Sequence, residues 1–174
     1  MRNKTTVWKG LIALAGGIAA ALPGAIAWAA GPVSFTGLAS GVSAGADTTC
    51  PTGLCPGSDS CICVPLSGAG KASVIGALTF ETTIVLDTSL PIGNCVEGFG
   101  TATLTAKSAH NSLVLDYTGM VCGTGSGEVL NAGYFIDGAD STGKYAGATG
   151  SGNIAGSEDA DGNILGNLNG TLVQ

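Results

Sequence analysis

The chain has 174 residues, 45% of them hydrophobic and only 10% charged, with 30 glycines and a formal net charge of −6. Its bases are concentrated at the start: beyond residue 29, Lys71, Lys107 and Lys144 stand alone against all twelve acids, which leaves −9 and no arginine. Phosphate recognition needs clustered Lys or Arg, so this composition excludes a nucleic-acid partner.

Residues 1–29 have the layout of a secretory signal peptide, with Arg2, Lys4 and Lys9 in a basic start, an apolar run from Leu11 to Leu22, and a small-x-small pattern at Ala27-Trp28-Ala29. The run is broken by Gly16, Gly17, Pro23 and Gly24. It is shorter than the ~20 apolar residues of a spanning helix, so no stable membrane span is expected after processing. The expected location is secreted or periplasmic. Residues 30–174 then form a single domain, within the usual size range.

The first candidate element is Val33-Ser34-Phe35-Thr36-Gly37-Leu38, whose brief alternation predicts an edge strand. Gly41 to Pro65 reads as a long loop, cysteine-rich over 46–65, where Cys50, Cys55, Cys61 and Cys63 lie. Together with Cys95 and Cys122 these make six cysteines, and in an exported chain that number points to disulfides. The loop spacing lacks the paired C-x2-C of a zinc site. A Cys61–Cys63 bridge would close a very small, strained ring, so Cys50 and Cys55 are expected to take one of them each. Cys95 and Cys122 flank a predicted hairpin and are expected to pair.

Gly70 to Ile75 predicts a short strand. Beyond it, Leu78, Phe80, Thr82, Ile84 and Leu86 share one face of a strand whose other face carries Ala77, Thr79, Glu81, Thr83 and Val85. Pro91 to Asn94 breaks this strand. Ala102, Leu104 and Ala106 form the next inward face, Ser108 to Asn111 a turn, and Leu113, Leu115 and Tyr117 the inward face of the returning arm. Leu130, Ala132, Tyr134 and Ile136 follow with the same parity. The last hairpin has Asn153-Ile154-Ala155 on one arm, Asp161-Gly162 at its bend and Ile164 to Leu172 on the other. About eight closely spaced strands without an amphipathic helix predict an all-β fold. Recurrent Gly and Ala on the strands favour an antiparallel eight-stranded β-barrel, because a tightly curved sheet needs small residues; a small β-sandwich is the alternative.

At Gly143-Lys144-Tyr145-Ala146-Gly147-Ala148-Thr149-Gly150, preceded by Ser141-Thr142, the chain resembles a segment of the allene oxide cyclases, dirigent proteins and their small exported bacterial relatives. The resemblance implies an eight-stranded, calycin-like antiparallel barrel, often trimeric in the plant members, so a homo-oligomer is an open expectation. The catalytic groups of those families do not carry over to this chain, which has no arginine beyond residue 29.

Tyr117 and Tyr134 share inward parity and are the candidate lumen residues, able to hydrogen-bond an apolar guest or to donate a proton. Their plain alternative is to cap the core, as buried tyrosines commonly do. Ser157, Asp159, Asp161 and Gly162 mimic the start of a calcium loop, but Leu168 stands where the bidentate Glu belongs, so an acidic hairpin turn is preferred and Asp159 and Asp161 are only a secondary calcium reading. His110, the single histidine, has no nucleophile or orienting acid in a recognisable motif and reads as a solvated turn residue. No cofactor motif is present. The functional expectation is therefore an exported non-catalytic β-barrel module that binds a small apolar molecule or acts as an envelope or extracellular interaction domain. The alternative, implied by the resemblance, is a cyclase/isomerase or a dirigent-type guide of a coupling reaction that uses the barrel lumen. A carbohydrate-binding domain would suit the sandwich, but no tryptophan remains beyond residue 29.

Overall fold

The computed structural model describes residues 31–46, 50–51, 53–55, 60–108 and 110–174; the expected signal peptide lies outside the described residues. Eight strands follow in order: β1 (Val33–Ser43), β2 (Cys61–Ala72), β3 (Gly76–Ile92), β4 (Cys95–Ala106), β5 (Ser112–Thr124), β6 (Gly127–Asp137), β7 (Thr149–Asp159) and β8 (Asn163–Val173). Each pairs antiparallel with its successor, and β8 pairs with β1 from Val33↔Leu172 to Val42↔Asn163, which closes an up-and-down barrel and excludes the sandwich. The alternation read from the sequence sets the inside. Leu78, Ile84, Leu86, Ala102, Leu104, Leu113, Leu115, Tyr117, Ala132, Tyr134 and Ile136 are buried in one core cluster. Tight connections place glycine where the backbone turns left-handed, as at Gly93 (φ +66°) between β3 and β4 and Gly162 (φ +80°) between β7 and β8.

Three sequence expectations are corrected. β1 is not an edge strand, since it is paired on both sides and a closed barrel has no edges. The cysteine-rich loop is shorter than 46–65, because β2 begins at Cys61. Ile62, Val64 and Leu66 face the core while Cys61 and Cys63 face outward, an alternation concealed by treating the cysteines and Pro65 as loop residues. The expected strand at Gly70 to Ile75 ends at Ala72, and the next three residues turn into β3.

The disulfides are Cys50–Cys63, Cys55–Cys61 and Cys95–Cys122; the last is the pair expected, and the first two settle which loop cysteine takes which partner, a choice the sequence left open. Three such bridges are consistent with an oxidising, exported environment. The first two strap the loop to the outside of the barrel: Cys61, Cys63 and Val85 form a small buried cluster, with Cys50, Cys55 and Phe99 packed against it. That is why Val85 is buried on the face expected to be solvated. Cys95 and Cys122 are direct cross-strand partners on β4 and β5.

One end of the barrel is plugged by the β6–β7 connection. Tyr145, on a single 3-10 turn (Gly143–Tyr145), is fully buried with Ala148, and its hydroxyl donates to the Val74 carbonyl across 3.3 Å. Ser141 holds the entry to this segment, donating to the Asp137 carbonyl (2.6 Å) and accepting from Val114 N–H (3.0 Å). Gly143 sits at φ +61°, where Lys144 N–H can donate to Asn111 Oδ1 at 2.9 Å.

Candidate functional site: the barrel lumen

The strand register puts both candidate tyrosines in one layer of the lumen wall. The pairs Gly100↔Tyr117, Tyr117↔Tyr134, Tyr134↔Gly152, Gly152↔Gly170 and Phe35↔Gly170 run continuously through β4, β5, β6, β7, β8 and β1. The two rings lie over glycines on opposite sides of the layer. A Cβ on Gly100 would lie 2.8 Å from the Tyr117 hydroxyl oxygen; on Gly152 and Gly170 it would lie 2.7 and 2.5 Å from that of Tyr134. Missing side chains on the neighbouring strands are therefore what make room for the tyrosines. Tyr134 also meets Phe35 edge to face, with ring centroids 6.4 Å apart.

The two hydroxyls are in different states. Thr82 Oγ1 donates its one hydrogen to the Thr101 carbonyl (2.9 Å), so the 2.8 Å contact between Thr82 and Tyr117 must be a donation from the phenol to Thr82 Oγ1. Burial pushes the Tyr117 phenol up to about 12. Tyr134, only 3% exposed, has a hydroxyl with no hydrogen-bond partner, and burial raises its pKa as well. An unsatisfied buried hydroxyl costs about 1–3 kcal/mol.

All eight strands line a lumen cavity of about 110 Å³, with Tyr117 in its wall. Its wall is aliphatic and aromatic apart from the Thr82 and Tyr117 hydroxyls and Asn167. A narrower throat of about 60 Å³ continues toward the unplugged end, shares Leu66, Ile84, Leu130, Gly156 and Ile164 with the cavity, and is flanked by Glu128 and Glu158. These two carboxylates are direct cross-strand partners. Burial raises the Glu158 pKa against a hydrogen bond from Ser43, and the negative charges of Glu128 and Asp159 add to the rise. Neither residue was singled out from the sequence, although Glu128 has the parity of Leu130 and Tyr134, and Glu158 that of Ile154.

The other candidates lie elsewhere. Asp159 is turned into its own hairpin, accepting from the Asp161 and Asn163 backbone N–H groups (3.0 and 2.9 Å) and from Asn163 Nδ2, and these bonds lower its pKa. Asp161 is exposed beside it, and His110 is exposed in the β4–β5 turn. Among the described residues no group of three or more His, Cys, Asp or Glu is placed to hold a metal ion. All six cysteines are in disulfides.

Fold and site together define a disulfide-stapled, closed eight-stranded antiparallel barrel with one plugged end and a small apolar lumen. Comparison with protein-family models, with curated proteins and with solved structures finds no match to this chain.

Proposed function

We propose that this protein is an exported, non-catalytic β-barrel module that binds a small apolar molecule in its lumen. The observation that carries the reading is the cavity of about 110 Å³, which is lined almost wholly by apolar side chains and reached through a short throat. A dry apolar cavity of ~150 Å³ takes up benzene, whereas sites for larger ligands span roughly 300–1,000 Å³. The lumen therefore suits a compact guest with at most one polar atom, which would meet the Tyr117–Thr82 hydroxyl pair. The paired carboxylates at the throat disfavour anionic guests. The disulfides support export, and residues 1–29 supply a suitable signal. The likeness of Ser141 to Gly150 to the allene oxide cyclase and dirigent segment supports descent from a barrel of that kind.

The test is benzene titrated into methyl-labelled protein and followed by NMR. The expected result is saturable shifts at Leu115, Ile154 and Leu168, abolished by Ala39→Leu, which fills the cavity from β1. Absence of shifts at benzene saturation overturns the reading. The second reading, a cyclase or isomerase, turns on the Tyr134 hydroxyl, which is buried with no hydrogen-bond partner among the described residues but lies over Gly152 and Gly170 and is not part of the cavity lining. Turnover of a cyclisable substrate that is lost in Tyr134→Phe establishes that alternative.

A further inference from the structure

The cysteine loop and the barrel wall enclose a second recess, on the outside, which the lumen reading does not use. The β3–β4 pairing runs to Thr82↔Ala102 and resumes only at Val85↔Phe99. Over this interruption lies a groove of about 680 Å³, bounded at one end by Leu54 of the strapped loop and Phe99, and along its length by Thr83, Thr101, Glu81 and Asp116. Its size falls within the range of small-ligand sites. Two disulfides in a loop this short are explained by this arrangement, since they hold the loop against Val85 and Phe99 and so fix the apolar end of the groove.

The lining chemistry narrows the occupant. Among the described residues that line the groove there is no Lys, Arg or His, and the charged groups are the carboxylates of Glu81 and Asp116, which disfavours an anion. Thr101 Oγ1 donates to Asp116 Oδ1 at 2.7 Å, which orients the carboxylate, and among the described residues no hydrogen bond is made to Oδ2. A fixed acceptor, the Thr83 hydroxyl, which can donate and accept, and the aromatic ring of Phe99 at one end match a molecule with an apolar face and an edge of hydroxyl groups. We infer that this outer groove binds a short neutral saccharide, with Phe99 as the stacking platform and Asp116 as the acceptor for a sugar hydroxyl. The groove shares Leu66, Thr82 and Tyr117 with the wall of the lumen cavity, whereas Phe99, Thr101 and Asp116 belong to the groove alone.

The test uses the intact disulfide-bonded protein, titrated separately with maltotriose, cellotriose and N,N′-diacetylchitobiose and followed by amide NMR. At least one saccharide is expected to shift Thr83, Phe99 and Thr101. Asp116→Asn should weaken that binding by about tenfold or more, the effect of losing a hydrogen bond to a charged acceptor, without lowering the melting temperature. Phe99→Ala should weaken it similarly and Phe99→Tyr should preserve it. Benzene binding in the lumen should be the same in Asp116→Asn as in the parent, which separates this site from the other. No shift with any of the three sugars, shifts confined to other surfaces, or affinity unchanged in both Asp116→Asn and Phe99→Ala overturns the inference. Binding of benzyltrimethylammonium at these residues with all three sugars silent overturns it in favour of a cation site.

Discussion

At the scale of single residues, the two lumen tyrosines differ in what their hydroxyls do, and this difference is measurable. Tyr117 is committed: its proton goes to Thr82, and ionising it would place a phenolate in an apolar wall. Its folded pKa of about 12 lies above the ordinary tyrosine value, so the stability it contributes is fully present below pH ~10 and is lost as pH rises through about 12. Over that window the loss is on the order of 2–3 kcal/mol. Alkaline unfolding followed by circular dichroism, alongside phenolate absorbance, should show Tyr117 among the tyrosines that ionise only with the unfolding transition, with Tyr117→Phe reducing that step; a fully ionised set of tyrosines in the folded protein would contradict the assignment. Thr82→Val should destabilise by about 1–3 kcal/mol in urea melts at neutral pH, because it strands the Tyr117 proton.

At the scale of elements, the strands are fitted to one another through their glycines, and not all glycines are equivalent. Gly152 on β7 and Gly170 on β8 lie beneath the Tyr134 ring and against the opposite strand's backbone, so a methyl group at either must displace something rigid. Gly156 and Gly166 face the cavity, and a Cβ there would come no nearer than 3.6 and 3.9 Å to any atom. Gly152→Ala and Gly170→Ala are therefore expected to lower stability by about 1–3 kcal/mol. Gly156→Ala and Gly166→Ala should be neutral or stabilising by about 0.4–1 kcal/mol, through the less flexible unfolded chain. Thermal melts of the four variants check the contrast, and equal effects at all four positions would refute it. Strand identity was legible in the sequence wherever apolar and polar residues alternated, as along Leu78 to Leu86 and Leu113 to Tyr117. It was hidden in β2, where the outward positions are Cys61, Cys63 and Pro65, residues ordinarily read as loop. The lumen parity of Tyr117 and Tyr134 was also legible, but the glycines that receive their rings sit on other strands, and only the register brings them together.

At the scale of the whole molecule, the three bridges divide the labour unequally. Cys95–Cys122 ties two neighbouring strands of the wall and closes 27 residues of chain, so its removal by a double Cys→Ala substitution should cost about 3–4 kcal/mol on loop-closure grounds. Cys50–Cys63 and Cys55–Cys61 lie outside the barrel, so opening both should leave the strand spectrum and the lumen intact while releasing Leu54 and further exposing Phe99, which is half-buried in the intact protein. Circular dichroism and phenylalanine-resolved NMR distinguish the outcomes, and collapse of the barrel on opening the loop pair would show that the strap bears on the core. The outer groove itself was not legible in the sequence. It needs Leu54, Phe99 and Asp116 side by side, and they come from the loop before β2 and from β4 and β5, which are brought together by the disulfides and by the successive pairing of β2 to β5.

That closure has a temporal side. Every other seam of the barrel joins strands that follow one another, so each can zip as soon as its hairpin exists, but the seam between β1 and β8 unites the earliest strand with the latest. Phe35 on β1 and Leu172 on β8 are both fully buried beside this seam, so β1 has no permanent neighbour on one flank until β8 arrives. For that interval the nascent chain carries an exposed β edge, and the order of synthesis makes completion of the cylinder its slowest and most aggregation-prone moment.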